Sequence, residues 1–133
     1  MITEVNEKDC YALLGSTTVG RLGFVQDERV LVIPVNYVLD GADIVIRTAQ
    51  DGLLSDLPSS REVVAFEVDH HDDLAGSGWS VLLNGAVTAM TADEVDAVPG
   101  TRRARPWAGG DRTLALRLHP DSVTGRRVHR DRH

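Results

Sequence analysis

The stretch Ser77-Gly78-Trp79-Ser80-Val81-Leu82-Leu83-Asn84-Gly85-Ala86-Val87 decides how the rest of the chain reads. A large aromatic leads a long apolar run, with a hydroxyl beside it and a glycine inside it. A run of this kind fits a buried strand, and it reads as the central strand of a closed sheet.

Its neighbours in sequence supply the rest of such a sheet. Val19-Gly20-Arg21-Leu22-Gly23-Phe24-Val25 alternates and predicts a first strand that turns at Asp27-Glu28. Residues 29–39 are apolar on both parities and predict a strand covered on both sides. Pro34 lies inside it and cannot donate to a ladder, so its position is an edge, a bulge or a place where a ligand approaches. Asn36 in the same strand needs a hydrogen-bond partner if buried. Asp40-Gly41 predicts a hairpin into a return strand over 42–48. Residues 61–69 predict another strand, followed by a polar loop over 70–78. After the central strand, Arg112 to Leu118 alternates with Leu114, Leu116 and Leu118 inward. Residues 121–126 read as a turn or a short last strand, and 128–133 as a frayed end.

Three short helices are expected between the strands. Residues 3–15 carry Cys10, Leu13 and Leu14 on one face. Residues 50–57 carry Leu53, Leu54 and Leu57 and stop at Pro58. Thr91-Ala92-Asp93-Glu94 is a capping box ahead of Val95 and Val98. Residues 101–111 are loop-like. Six or so strands at hairpin spacing predict a mainly β chain, an antiparallel barrel with helices patching its openings. All 133 residues form one domain by length.

Composition narrows the function. The hydrophobic fraction is 42%, with one cysteine, so no internal disulfide framework exists. No signal-like or membrane-spanning run is present in the sequence, which predicts a cytoplasmic protein without a membrane partner. The net charge of -6 divides unevenly: residues 1–100 hold 17 acids and 5 bases, residues 101–133 hold 3 acids and 9 arginines. The acidic body would repel a phosphate backbone, so nucleic acid is not the expected partner. Neutralisation within the fold or across a dimer is the favoured reading.

The chemistry-bearing motifs are few. There is no Gly-x-Ser-x-Gly elbow, so a serine triad has no support. Cys10 lies on an apolar helical face and reads as packing. Asp69-His70-His71-Asp72-Asp73 has metal-ligand types, but consecutive loop residues seldom face one point, and no metal is expected. No glycine-rich phosphate motif occurs. Arg47-Thr48 ends a strand just before an expected helix, a combination that suits a phosphate dianion as well as it suits a surface ion pair. Trp79 and Trp107 border polar segments, where flat aromatic surface stacks on a planar ligand, seals a subunit interface or packs a core.

Taken in order, Val19–Phe24, Ile33-Pro34-Val35-Asn36-Tyr37, Ile46-Arg47-Thr48, Phe66–Asp69, Gly78-Trp79-Ser80-Val81 with Gly85, Arg105-Pro106-Trp107 and Val123–Arg126 resemble the pyridoxamine 5′-phosphate oxidase-like proteins, and within them the short bacterial FMN-binding split-barrel branch. The resemblance implies a six-stranded antiparallel Greek-key split barrel and a homodimer with two cofactor sites at the subunit interface. It implies that Pro34, Val35 and Asn36 lie along an isoalloxazine ring, and that Arg47 and Thr48 hold the phosphate or ribityl chain. It further implies that Trp79, Ser80 and Val81 line the same site, from the same or the partner subunit, and that Trp107 closes it. The branch commonly carries a lysine where this chain has Leu53. A lost charge-assisted contact costs roughly 1.5–3 kcal/mol, about ten- to a hundredfold in affinity. The cofactor implied is therefore FMN, with the deazaflavin F420 or no cofactor as alternatives. The function implied is a flavin- or deazaflavin-dependent oxidoreductase acting on a small electron-poor organic substrate. The alternative is a non-catalytic barrel that binds a cofactor or another ligand. Genuine pyridoxamine phosphate oxidation is not expected, because the substrate-phosphate cations it needs are not recognisable. Tyr37 and Ser80 are the candidate proton donors.

Overall fold

Alternating apolar residues make most of the chain extended, and turns fall where acidic residues or glycine accept a positive φ. The computed structural model describes residues 1–49, 53–101 and 113–130. In order, these form β1 (Ile2–Val5), α1 (Glu7–Leu14), β2 (Val19–Gln26), β3 (Arg29–Asp40), β4 (Asp43–Ala49), α2 (Leu57–Ser60), β5 (Val64–Asp72), β6 (Ser77–Ala89), α3 (Ala92–Asp96) and β7 (Thr113–His129). Asp27 and Glu28 turn β2 into β3 with φ of 51° and 61°, and Gly41 turns β3 into β4 with φ of 59°.

All strand pairs are antiparallel. The order is β1-β7-β4-β3-β2-β5-β6, and β6 also pairs with β7. Strands β2 to β7 thus close into a six-stranded ring, and β1 adds to the outside of β7. Closure removes the free edges that an open sheet would present. The quoted stretch lies in β6, which pairs with β5 along Ser77–Gly85 and with β7 along its full length. It joins the first half of the barrel to the last strand.

Inward residues of every strand of the ring form one core, with Leu22, Tyr37, Ile44, Ile46, Phe66, Val81, Leu83, Leu116 and Leu118 all at most 1% exposed. Burying a side chain such as Phe66 stabilises the fold by roughly 1.5–3 kcal/mol. Its ring meets Tyr37 edge-on, with centroids 5.0 Å apart and planes at 77°. The Tyr37 hydroxyl donates to the Leu14 carbonyl at 2.6 Å, so the core ties α1 to the barrel end. α1 is itself capped by the Asn6 side chain, which accepts from the Asp9 N–H at 2.8 Å. At Gly85 the β6–β7 register shifts, and a Cβ there would lie 2.0 Å from the His119 carbonyl oxygen. Only glycine lets β7 approach this closely.

Several elements depart from the reading of the sequence. The helix expected over 3–15 starts at Glu7, because Ile2–Val5 pairs with Val128–Gly125 as a strand. Of the helix expected over 50–57, residues 50–52 lie outside the described residues and 53–56 are turn; α2 begins only at Leu57, with Pro58 in its first turn, where a proline has no hydrogen bond to lose. The polar run 70–78 is mostly strand: β5 continues to Asp72 and β6 starts at Ser77, because cross-strand pairing with β6 outweighs the polar composition. Residues 121–129 continue β7 without a break. Finally, β3 is not covered on both sides, since Val30, Val32 and Pro34 are exposed. The capping box at Thr91 is present, with both reciprocal hydrogen bonds formed.

Candidate functional site

Residues opposite one another in an antiparallel ladder face the same side of the sheet. Arg21 stands opposite Pro34, Val19 opposite Asn36, Asn36 opposite Arg47, and Arg47 opposite Ala115. Pro34, Asn36 and Arg47 therefore share the outer face of the barrel. The β3–β4 ladder ends at the Asn36–Arg47 pair, and among the described residues Arg29–Val35 of β3 pairs only with β2. The strands part just beyond an amide and a guanidinium, with Pro34 next along the face. Asn36 is buried despite its outward parity. The segment after α3 covers this corner: Val98 and Thr101 are buried, and Arg47 Nη1 donates to the Thr101 carbonyl at 3.5 Å.

Strand alternation separates the other expected residues. Thr48 follows the parity of Ile44 and Ile46 and so faces the side opposite Arg47. The Val35 and Val81 side chains belong to the core, which leaves their backbone as the part a ligand could touch. The Leu53 side chain also packs against the core, so the corner receives no cation from that position. Trp107 lies outside the described residues.

Trp79 and Ser80 lie elsewhere on the ring. Moving from β3 to β6 crosses β2 and β5, about 14 Å of sheet at the usual strand spacing. Trp79 packs against the end of the core beside His70, with ring centroids 6.5 Å apart. Ser16, Thr17, Asp69, His70 and Trp79 line a cleft of about 360 Å³ there. Ser80 does not line this cleft, because it follows Trp79 in β6 and faces the other side of the sheet. Within one chain, the Asn36–Arg47 corner and the Trp79 cleft are two places.

Between them lies a cluster not read from the sequence. Arg21 on β2 bridges two carboxyl groups of β5 with one nitrogen: its Nη1 contacts Glu67 Oε1 at 3.1 Å and also Asp69 Oδ2. Burial pushes the Glu67 carboxyl up to about 7, and a hydrogen bond to Asp69 and the charge of Asp69 add to this. Asp69 is held below its ordinary value, chiefly by the hydrogen bond from Glu67. The spacing of Glu67 and Asp69 places them on one strand face, but the arginine between them comes from a strand 46 residues away in sequence.

Of the two candidate proton donors, Tyr37 is unsuited. Burial holds its phenol far above the ordinary range, and its hydroxyl is committed to Leu14. Ser80 stands opposite Asp69 on the outer face. The Asp69–Asp73 run does not converge, because successive strand residues face opposite sides. Among the described residues, no group of three or more His, Cys, Asp or Glu is placed to hold a metal ion. No described helix is long and apolar enough to cross a membrane.

Comparison with known proteins follows the same outline. The sequence pattern of the pyridoxamine 5′-phosphate oxidase family matches residues 6–127. An uncharacterized protein of Mycobacterium tuberculosis, Rv0080, is 28% identical over 131 residues, covering 96% of this chain and 86% of its own. A crystal structure of a conserved protein of unknown function from Corynebacterium diphtheriae, DIP1874, is 31% identical, with a TM-score of 0.70 over 94% of this chain and 96% of that one. The structure of an FAD-binding protein from Mycobacterium smegmatis is 26% identical, with a TM-score of 0.72 over 97% of this chain and all of that one (100%).

Proposed function

The chain belongs to the pyridoxamine 5′-phosphate oxidase family, and from that premise we propose that it binds a flavin and works as a flavin- or deazaflavin-dependent oxidoreductase on a small organic substrate. The observation that carries this reading is the Asn36–Arg47 pair, set side by side on the outer face where β3 and β4 part. A guanidinium suits a phosphate, a carboxamide suits ring or ribityl polar atoms, and Pro34 beside them offers an apolar surface for a ring. The donor set fits FMN, FAD or F420, each of which combines phosphate with a flat heterocycle. The kinship with an FAD-binding protein supports the flavin assignment.

A bound flavin would supply hydride transfer; the chain's own residues bind, orient and exclude water. Arg47 would anchor the phosphate. Asn36 would fix the ring edge. Trp79 and Ser80 would complete the site from a second copy, since about 14 Å of sheet separates them from Asn36 on the same chain. The outer face beyond them supports a homodimer: further along β2 and β3, past Arg21 and Pro34, Val25, Val30 and Val32 are 54%, 74% and 61% exposed. A two-fold contact through this face is self-complementary, so one copy's corner can meet the other's cleft.

A second reading, non-catalytic cofactor binding, is favoured by Leu53. It packs into the core where the family commonly places a cation. The visible spectrum of purified protein, followed by titration with FMN, FAD and F420, tests both. Micromolar binding of any of the three supports the site, and no binding refutes it. Turnover of a reducible dye by the loaded protein then separates oxidoreductase from carrier.

A further inference from the structure

We propose that Glu67 carries a proton into the contact between two copies, so that self-association through the β2–β3–β5 face weakens as pH rises through neutrality. This rests on the homodimer of the previous section and names a control on it.

The face is apolar along its β3 side, with Val30, Val32 and Pro34, and its polar island is Arg21 with Glu67 and Asp69. Arg21 is the link: it stands opposite Pro34 on one side and Glu67 on the other. A second copy covering the valines therefore covers the island as well. One guanidinium balances one carboxylate. With Glu67 protonated the trio is neutral and each acid has a partner, so it can leave water at modest cost. With Glu67 ionised each copy brings one uncompensated negative charge, which burial penalises.

Among the described residues, the surroundings offer little else to compensate. Across β6, the residues opposite Asp69, Glu67 and Ala65 are Ser80, Leu82 and Asn84, none of them titratable. β3 contributes no charge opposite Arg21. On β5 itself, His71 follows on the same parity and contacts Asp73 at 3.7 Å. On β7, Arg126 stands opposite Ser80 and opposite Glu4 of β1. Burial, with Asp69 beside it, pushes the Glu67 carboxyl up to about 7 in the single chain. If the dimer accepts only the protonated form, two protons are taken up per dimer. Its dissociation constant then rises by up to about a hundredfold between pH 6 and pH 8.

Sedimentation equilibrium of the full chain at pH 6, 7 and 8 tests this, beside Glu67→Gln, whose amide mimics the protonated acid. The expected result is a wild-type dimer that weakens at least tenfold from pH 6 to 8, and a variant dimer that does not. A wild-type dimer of pH-independent affinity overturns the inference and leaves the dimer standing. The same pH dependence in Glu67→Gln also overturns it and assigns the effect to His71 or another group. A monomer at every pH overturns the dimer and this inference together. Circular dichroism of both proteins at each pH shows whether a change in mass is instead unfolding.

Discussion

Gly85→Ala tests the geometry that closes the barrel. The added Cβ would lie 2.0 Å from the His119 carbonyl oxygen, 2.8 Å from its carbon and 3.0 Å from the Pro120 Cα. All three are backbone atoms of β7, so no side-chain rotation relieves the overlap. Ordinary contact begins near 3.4 Å, so the strands must part by about 1.4 Å. A ladder bond stretched by that much no longer counts as a hydrogen bond. Two or three bonds around the bulge are affected, at about 1 kcal/mol each, so the expected loss is about 3 kcal/mol. The assay is urea unfolding at one fixed protein concentration, comparing midpoint and slope. Gly15→Ala is the control: its Cβ would meet nothing closer than 3.5 Å, and its φ of -71° suits alanine. That change is expected to be neutral or stabilising by about 0.5 kcal/mol. A Gly85→Ala protein within 1 kcal/mol of wild type would refute the close approach of β7 to β6.

Tyr37→Phe removes the donor to the buried Leu14 carbonyl and should cost about 1–3 kcal/mol in the same assay. Cys10 is buried and its thiol is pushed up by burial and by Asp9 and Glu7, so a thiol reagent at pH 8 should react only as fast as the chain opens. The Glu67 carboxyl keeps its proton in the fold to about pH 7, against 4.5 ordinarily, so its stabilisation is full below 4.5 and lost as pH rises through 7. Asp69 has the opposite sign: its contribution is present above 3.8 and lost as pH falls. Thermal melts should therefore favour pH 6 over pH 8 in wild type, with a smaller difference in Glu67→Gln. Leu53→Lys should tighten FMN binding roughly tenfold if a cation is what the corner lacks; unchanged affinity would show that it is not.

The barrel was legible because its signals are local. Asp40-Gly41, the alternation of Val19–Val25 and the apolar run after Trp79 each specify a strand or turn without reference to the rest of the chain. Pro34 and Asn36 were legible as oddities inside a strand, and both lie on the outer face beside Arg47. What the sequence hid depends on long-range pairing. Ile2–Val5 is a strand only because β7 extends to meet it. His70–Asp72 is a strand only because β6 pairs with it. Arg21 and Glu67 meet across the β2–β5 ladder, which no spacing announces. The family resemblance gives Arg47 and Thr48 one role, whereas strand pleating sends the two adjacent side chains to opposite faces. Leu53 was legible as a departure from the family; its packing into the core gives that departure a physical form.

If Arg47, beside Asn36, anchors the phosphate of a flavin, affinity for FMN depends on its guanidinium and affinity for riboflavin does not. Fluorescence titration of FMN against the wild-type chain and Arg47→Gln, with riboflavin as the phosphate-free comparison, tests it most directly. The expected result is micromolar FMN binding by wild type, a ten- to hundredfold loss in Arg47→Gln, and riboflavin binding that the substitution leaves unchanged. Equal FMN affinity in the two proteins, or an equal loss for FMN and riboflavin, would contradict it.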